Sequence, residues 1–478
     1  DTLATASRAD DIPPFSEIDC EAKRFVLHDL FTPELARLVA RHPELENAIV
    51  DLTVALPVYR TYIDRRGAHD HDTAVLRDAA ISAAEAGGET DALVDLLVSC
   101  RDLDFTMRWQ QLTGPVMAKG HEDTALYRDA VLVSRNDVGG DPGRRPDDAL
   151  ERFHAKNVER ARDWPHTMVA TSTHDTKRSE DVRARIAVLS ELAADFETGL
   201  ARLRREVDMR SLTPVEQRLV GQTLLGVYPA DPAGPDDELR GRLHAYFEKA
   251  LREAKQTTSW IEPDPQHEAA VRDVVDACLA GNGAPLRRAF GDLIERVAFH
   301  GAQNSILFTA LRVAGPGVAD TYQGTELLDL SLVDPDNRRP VDYGRRRTAL
   351  ASLRDASVAD LAEHWADGRL KLLVLTRALH ARRAHPDLFV GGEYIPLPAS
   401  DDRVVAFARR HDHDWALAIA ARFSTRGVPN GTLTLPGGAP DHWRDALTGA
   451  DVDAQHEKLR VSDALGEQLR VALLLPRP

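Results

Sequence analysis

Along the first part of the chain, apolar residues recur every three or four positions. Ile18, Phe25, Val26 and Leu30 form one such stripe behind Ser16 as N-cap. Leu35, Leu38 and Val39 form a second, opened by Thr32-Pro33-Glu34 with Thr32 as cap. Glu44–Ile63 continues the pattern until Pro57, whose missing N–H should end or kink the helix near Leu56. Asp72–Ala86, Thr90–Cys100 and Phe105–Leu112 complete a helical block over residues 1–112, with Asp1–Pro14 as an irregular lead. The pattern breaks at Thr113–Asp141. There Gly114, Pro115 and Gly120 set turns, and Pro115–Ala118 reads as a short buried strand. Helices resume at Asp147–Asp163, Ser179–Val207, Pro214–Leu225, Asp236–Glu253 and Gln266–Ala280. Gly281-Asn282-Gly283 is a break, and Pro285–Val313 should be helical with a kink near Gly301. Two further short strands, Met168–Thr173 and Val318–Tyr322, each run into a polar loop. Val358–His380 gives one or two more helices.

From about Pro386 the period changes to two. Tyr394–Leu397, Arg403–Arg409, Ala416–Ala421, Gly431–Leu435 and Leu469–Leu475 read as antiparallel strands of a small β-sandwich over residues 386–478. The net charge of −16 argues against nucleic acid as a general partner. No apolar run reaches membrane-spanning length, and no membrane partner is expected. Cys20, Cys100 and Cys278 are odd in number and far apart, which gives neither a metal spacing nor a disulfide framework and points to a reducing cytoplasm. The first residue is Asp1 rather than Met, which reads as processing or as a piece of something longer.

Chemistry concentrates in Thr167–Ile186. Here an apolar run delivers Thr173, His174, Asp175, Thr176, Lys177, Arg178, Ser179, Glu180 and Asp181 in immediate succession, and Ser179 can cap a helix carrying Val182, Ile186 and Leu189. A strand that hands His-Asp to a polar loop before a helix is how a β/α barrel builds a site. A capped helix with a solvated, charged start would look the same. A second polar set, Lys119, Glu122, Asp123, Tyr127 and Arg128, follows Gly114–Ala118. Asn136–Pro142 reads as a turn. No phosphate-cradling glycine loop, metal-ligand spacing or nucleophile elbow is present, so neither a cofactor nor a metal is expected. Carboxylates with Arg, Lys, His and Tyr make a set that hydrogen-bonds sugar hydroxyls. Structural ion-pair networks draw on the same residues, and the two readings stand side by side.

Thr171–Arg185 (TSTHDTKRSEDVRAR) resembles the signature of the maltooligosyltrehalose synthases, members of the α-amylase superfamily. Gly114–Arg128 (GPVMAKGHEDTALYR), Asn136–Pro142, Lys249–Trp260 (KALREAKQTTSW), Asp320–Glu326 (DTYQGTE) and Leu332–Asp342 (LVDPDNRRPVD) resemble further stretches in the same order. So do Asp367–Arg383 and Leu388–Pro396. The resemblance implies an α/β fold in which residues 113–385 are the C-terminal portion of a (β/α)8 TIM barrel with large helical insertions. It also implies isomerisation of the terminal α-1,4 link of a maltooligosaccharide to an α,α-1,1 link by a retaining mechanism. Asp175 would stabilise the transition state and His174 would donate to a sugar hydroxyl. Lys119, Glu122, Asp123, Tyr127, Lys177, Arg178, Glu180 and Tyr322 would contact sugar, while Asn337 and Arg338 would fix a loop. The nucleophilic Asp and the acid/base Glu are expected upstream, on a missing N-terminal part of the same enzyme. The alternatives are a related α-glucanotransferase or amylase, or a non-catalytic glucan-binding fragment.

Overall fold

The structure is a computed structural model that describes residues 3, 5, 10, 12–144, 147–230, 234–354 and 356–477. The lead Asp1–Pro14 therefore lies largely outside the described residues. The principal helices are α1 (Phe15–Asp29), α2 (Leu103–Val116), α3 (Ala149–Asp163), α4 (Glu180–Ala187), α5 (Asp237–Ala254), α6 (Pro265–Phe290), α7 (Leu293–Ala314) and α8 (Arg369–Ala384). Strand β1 (Met168–Val169) pairs in parallel with β2 (Val318–Ala319), and the pair has no other strand beside it among the described residues. Met168 and Val318 remain well exposed, at 69% and 43%.

Three apolar clusters organise the helices. One joins α1 to the helices Thr32–Val39, Glu46–Ala55, Asp70–Glu85 and Asp91–Val98 around Trp109 and Phe105. As expected, the helix Glu46–Ala55 stops at Leu56, just before Pro57. A second cluster fills the middle of the molecule, from Val182 and Ile186 to Phe247, Val275 and Val297. The third packs α7 and α8 against a six-stranded antiparallel sheet.

That sheet runs β3 (Glu393–Pro396), β4 (Val404–His411), β5 (Asp414–Ala421), β10 (Val471–Pro476), β7 (His442–Asp445), β8 (Asp451–Asp453). Its period-two pattern splits two buried faces. Ala416, Ala418, Ala420 and Leu473 face the helices. Trp415, Leu417, Ile419 and Leu474 face a second apolar layer, which includes Leu433 and Leu459 of the antiparallel pair β6 (Thr432–Thr434) and β9 (Lys458–Arg460). Strands β7, β8 and β9 were not expected. They are three or four residues long, too short for alternation to stand out.

Four local expectations need correction. Pro115–Ala118 is not a strand: α2 runs through Pro115 and widens at Met117–Ala125 into a π-helix. Leu112 and Val116 are buried in the N-terminal cluster, and this packing overrides the local Gly-Pro signal. The long helix does not kink at Gly301. The break falls at Gly291 (φ +55°), while Gly301 lets α7 approach α4, since a Cβ there would sit 2.7 Å from Arg185 Cα. Thr32 is the first helical residue rather than the cap, and Phe15 starts α1 one residue ahead of Ser16. The Gly281-Asn282-Gly283 break stands as expected, all three residues lying at positive φ inside α6. Among the described residues, no helix is long and apolar enough to cross a membrane.

Candidate functional site

After β1 the chain makes a tight loop before α4. Ser179 caps that helix by accepting from the Val182 amide, and the Glu180 amide donates to Ser172 Oγ at 2.7 Å. Thr176 Oγ1 donates to the Thr173 carbonyl at 2.9 Å, and Asn337 Nδ2 donates to the carbonyls of Thr173 and His174 at 3.2 and 3.1 Å. The backbone is thus held from both sides, and His174 and Asp175 form an exposed turn at its tip. Tyr322 donates its hydroxyl to the Asn337 carbonyl at 3.1 Å, so the loop after β2 supports the loop after β1. Asn337 fixes the loop, as its sequence context predicted.

The facing wall is the π-helix. A π turn carries an extra residue, and Lys119, Glu122 and Asp123 come off it together. Lys119 Nζ donates to Asp123 Oδ2 at 2.7 Å, and Lys177 Nζ reaches across from the His-Asp loop to Asp123 Oδ1 at 2.8 Å. Burial alone would raise the Asp123 carboxyl, but Lys177 and Lys119 outweigh it and hold the group below the usual carboxylate range. The hydrogen bond to Asp123 in turn raises Lys119, and the charges of Glu253 and Asp175 add to it. Lys255 Nζ sits behind, donating to the Asp123 carbonyl and Thr124 Oγ1, both at 2.9 Å.

Tyr59, not singled out in the sequence, donates its hydroxyl to Glu122 Oε1. Its phenol is pushed up by burial first, then by Glu122, with Asp175 and Asp123 contributing charge. Asp175, Glu122, Asp123, Lys119 and Tyr59 therefore share one electrostatic neighbourhood. The available signal for Tyr59 was its place just after the helix-ending Pro57.

Other expected sugar contacts are internal. Tyr127 is buried, with Lys177 Nζ 5.3 Å from its ring centroid. Arg178 is buried and donates to Tyr246 Oη at 2.6 Å and the Val133 carbonyl at 3.3 Å. Glu180 is fully buried against Lys371 Nζ at 2.7 Å and Arg312 at 3.7 Å. Arg178 and Glu180 thus turn inward, away from the exposed His174-Asp175 turn. Asp181 completes the knot, with both carboxylate oxygens 2.9 Å from Lys371 Nζ. Burial and the Glu180 charge raise Asp181. For Glu180, burial is outweighed by Lys371 and Arg312, which lower it.

Asn136–Pro142 is more than a turn. Asn136 is buried and donates to the Leu126 and Asp129 carbonyls, and Asp137 Oδ1 accepts from the Lys177 amide at 3.3 Å. Among the described residues, no group of His, Cys, Asp and Glu is placed to hold a metal ion. A separate apolar cavity of about 670 Å³ opens beside β1, lined by Phe153, Val169, Leu307, Phe308, Leu311 and Arg312.

No family model matches this chain. It is 42% identical over 354 residues to a curated protein of Mycobacterium tuberculosis described as a putative maltooligosyl trehalose synthase, covering 72% of this chain and 42% of that protein. The solved maltooligosyltrehalose synthase of Arthrobacter ramosus superposes with a TM-score of 0.79 at 30% identity, covering 97% of this chain and 59% of that one. A hypothetical maltooligosyl trehalose synthase of Sulfolobus tokodaii gives a TM-score of 0.79 at 26% identity, over 99% of this chain and 60% of its own. The chain spans less than two thirds of the length of each of these proteins. In sequence and in fold, over that part of their length, the chain is a relative of the maltooligosyltrehalose synthases.

Proposed function

We propose that this chain is part of a maltooligosyltrehalose synthase, a (1→4)-α-D-glucan 1-α-D-glucosylmutase. In this reading it helps convert the terminal α-1,4 bond of a maltooligosaccharide into an α,α-1,1 bond. The observation that carries the reading is the exposed His174-Asp175 turn at the end of a parallel strand, facing Lys119, Glu122 and Asp123. Parallel strands belong to closed or covered sheets. The open edges of β1 and β2, the exposed Met168 and Val318 and the neighbouring apolar cavity support a barrel completed by further polypeptide of the same enzyme. That polypeptide supplies the nucleophilic Asp and the acid/base Glu.

In the proposed reaction the nucleophile displaces the maltooligosyl O4 link to the terminal glucose, whose O4 takes the proton of the acid. The released glucose turns within the site, and its anomeric hydroxyl attacks the glycosyl-enzyme. It returns its proton to the acid/base and frees the nucleophile. In this reading Asp175 supplies the fixed negative charge that stabilises the oxocarbenium-like transition states of both steps, and His174 holds a hydroxyl of the reacting sugar. Lys119, Glu122, Asp123 and Tyr322 are the proposed partners of the turning glucose, with Tyr59 joining them, and Lys177, as buried as Arg178, holds Asp123 in place for them. Tyr127, Arg178 and Glu180 act through the loop they support. The unpaired Cys20, Cys100 and Cys278 fit a reducing compartment, and we place the enzyme in the cytoplasm.

The test incubates the protein, in the longest form its gene encodes, with maltopentaose and follows reducing ends and free sugars together. Loss of reducing ends without release of glucose is expected. Glucose or maltose as the sole product would replace this reading with an amylase or glucanotransferase.

A further inference from the structure

Trp260 stands at the tip of a turn, Ser259–Glu262, that is tied at every joint. The Ser259 amide donates to the Glu262 carbonyl at 3.0 Å, and Ser259 Oγ accepts from the amides of Ile261 and Glu262 at 3.3 and 2.9 Å. At the foot of the turn, Thr258 Oγ1 donates to Glu268 Oε1 and accepts from the Asp264 amide, both at 2.8 Å. The indole itself is fixed as well. Its Nε1 donates to Glu253 Oε1 at 3.0 Å, and the Arg252 guanidinium lies 4.9 Å from the ring centroid, itself held by Glu268 at 2.7 and 2.9 Å. Yet Trp260 is 53% exposed, with Arg252 against one face of the ring.

A large aromatic ring held rigid and left bare is suited to binding, because stacking on it orders little that was not already ordered. The place matters too. Glu253, which takes the indole N–H, also pairs with Lys255 Nζ at 3.3 Å, and that ammonium donates to the Asp123 carbonyl at 2.9 Å. The ring therefore continues the polar wall that runs from Asp175 through Lys119 and Asp123. A glucosyl unit presents apolar C–H faces and a rim of hydroxyls. An exposed indole beside the Glu253 carboxylate offers an apolar surface to the first and an acceptor to the second.

We propose that Trp260 is a stacking platform for a glucosyl unit of an α-glucan chain, away from the reacting end, so that it selects for chain length. The proposal rests on the glucan reading given above. Calorimetric titration of the native protein, Trp260→Ala and Trp260→Phe with maltotriose and maltoheptaose tests it, with thermal melts of both variants as a control for folding. Trp260→Ala should weaken maltoheptaose about tenfold, the worth of roughly 50 Å² of apolar surface withdrawn from water, and maltotriose less than about twofold. Trp260→Phe should stay within about threefold of native for both sugars. Native affinity for maltoheptaose in Trp260→Ala overturns the platform. So does equal weakening by Ala and Phe, which would assign the effect to the bond with Glu253. A native protein that binds neither sugar overturns the glucan reading itself, and the platform with it.

Discussion

Lys371→Met tests whether the buried knot under the His174-Asp175 loop behaves as a charge-balanced unit. Lys371 is 1% exposed and joins Glu180 to Asp181, with Arg312 3.7 Å from Glu180 as the second cation. With Asp329 beside Lys371 and Arg185 beside Asp181, three carboxylates face three cations in the interior. Methionine keeps the aliphatic stem and removes one charge, leaving one buried negative charge unbalanced. The molecule can relieve this only by protonating a carboxyl. For a carboxyl with an ordinary pKa of about 4, taking up that proton at pH 7 costs about 4 kcal/mol, at about 1.36 kcal/mol per unit. At pH 5 the same relief costs about 1.4 kcal/mol. The sign follows from linkage: the folded variant holds its carboxyl at a raised pKa and binds a proton that the unfolded chain does not, so its stability falls as pH rises. Urea unfolding of both proteins, followed by far-UV circular dichroism at the two pH values, should give a penalty near these figures. A penalty that is the same at pH 5 and pH 7 would refute the charge argument, and one below about 1 kcal/mol at pH 7 would show that the knot carries no unbalanced charge.

Three further outcomes follow from the geometry. Asp175→Asn should lower turnover of maltopentaose by roughly three orders of magnitude or more with an unchanged melting curve, and near-native turnover would remove Asp175 from the reacting set. Gly120→Ala should destabilise the protein by about 1–3 kcal/mol, because its Cβ would lie 2.7 Å from Lys23 Cα, where only backbone can move; an unchanged denaturation midpoint would show that the π-helix does not press on α1 as described. For His121, burial lowers the imidazole pKa, but Asp19 at 2.8 Å outweighs it and raises the group. Its contribution is therefore full below about pH 6.5 and lost as pH rises through the raised value. His121→Gln should cost about 1 kcal/mol at pH 5.5 and less at pH 8.5, as read from urea midpoints.

The parts of the fold legible in the sequence were those decided locally. Pro57 ends its helix because proline cannot continue the ladder, and Gly281 to Gly283 break theirs because they adopt positive φ. The long strands β4, β5 and β10 stood out as apolar runs of strand length, continuous because both faces of the sheet are buried. What escaped was decided by distant packing. Pro115 sits in a helix because Leu112 and Val116 have a cluster to join. Gly301 answers to Arg185 on another helix rather than to its own backbone. The site divides in the same way. The His174-Asp175 turn and the Lys119 to Asp123 wall stand out as runs of mixed polar chemistry. That Glu180 faces inward is set by Lys371, 191 positions later, and no local pattern announces it. Tyr59 joins Glu122 across 63 positions.

Helix α8 belongs to two neighbourhoods at once. One side carries Lys371 into the knot beneath the His-Asp loop, while Leu373, Leu375 and Ala378 lie in the apolar layer shared with Phe407, Ala418 and Leu473 of the sheet. The sheet contributes no side chain to the polar wall, yet it seats the beam on which that loop rests. Its residues are therefore not free to drift independently during evolution. Substitutions that change volume at Phe407 or Leu473 should therefore be accepted in compensating pairs with the helices of that layer rather than singly.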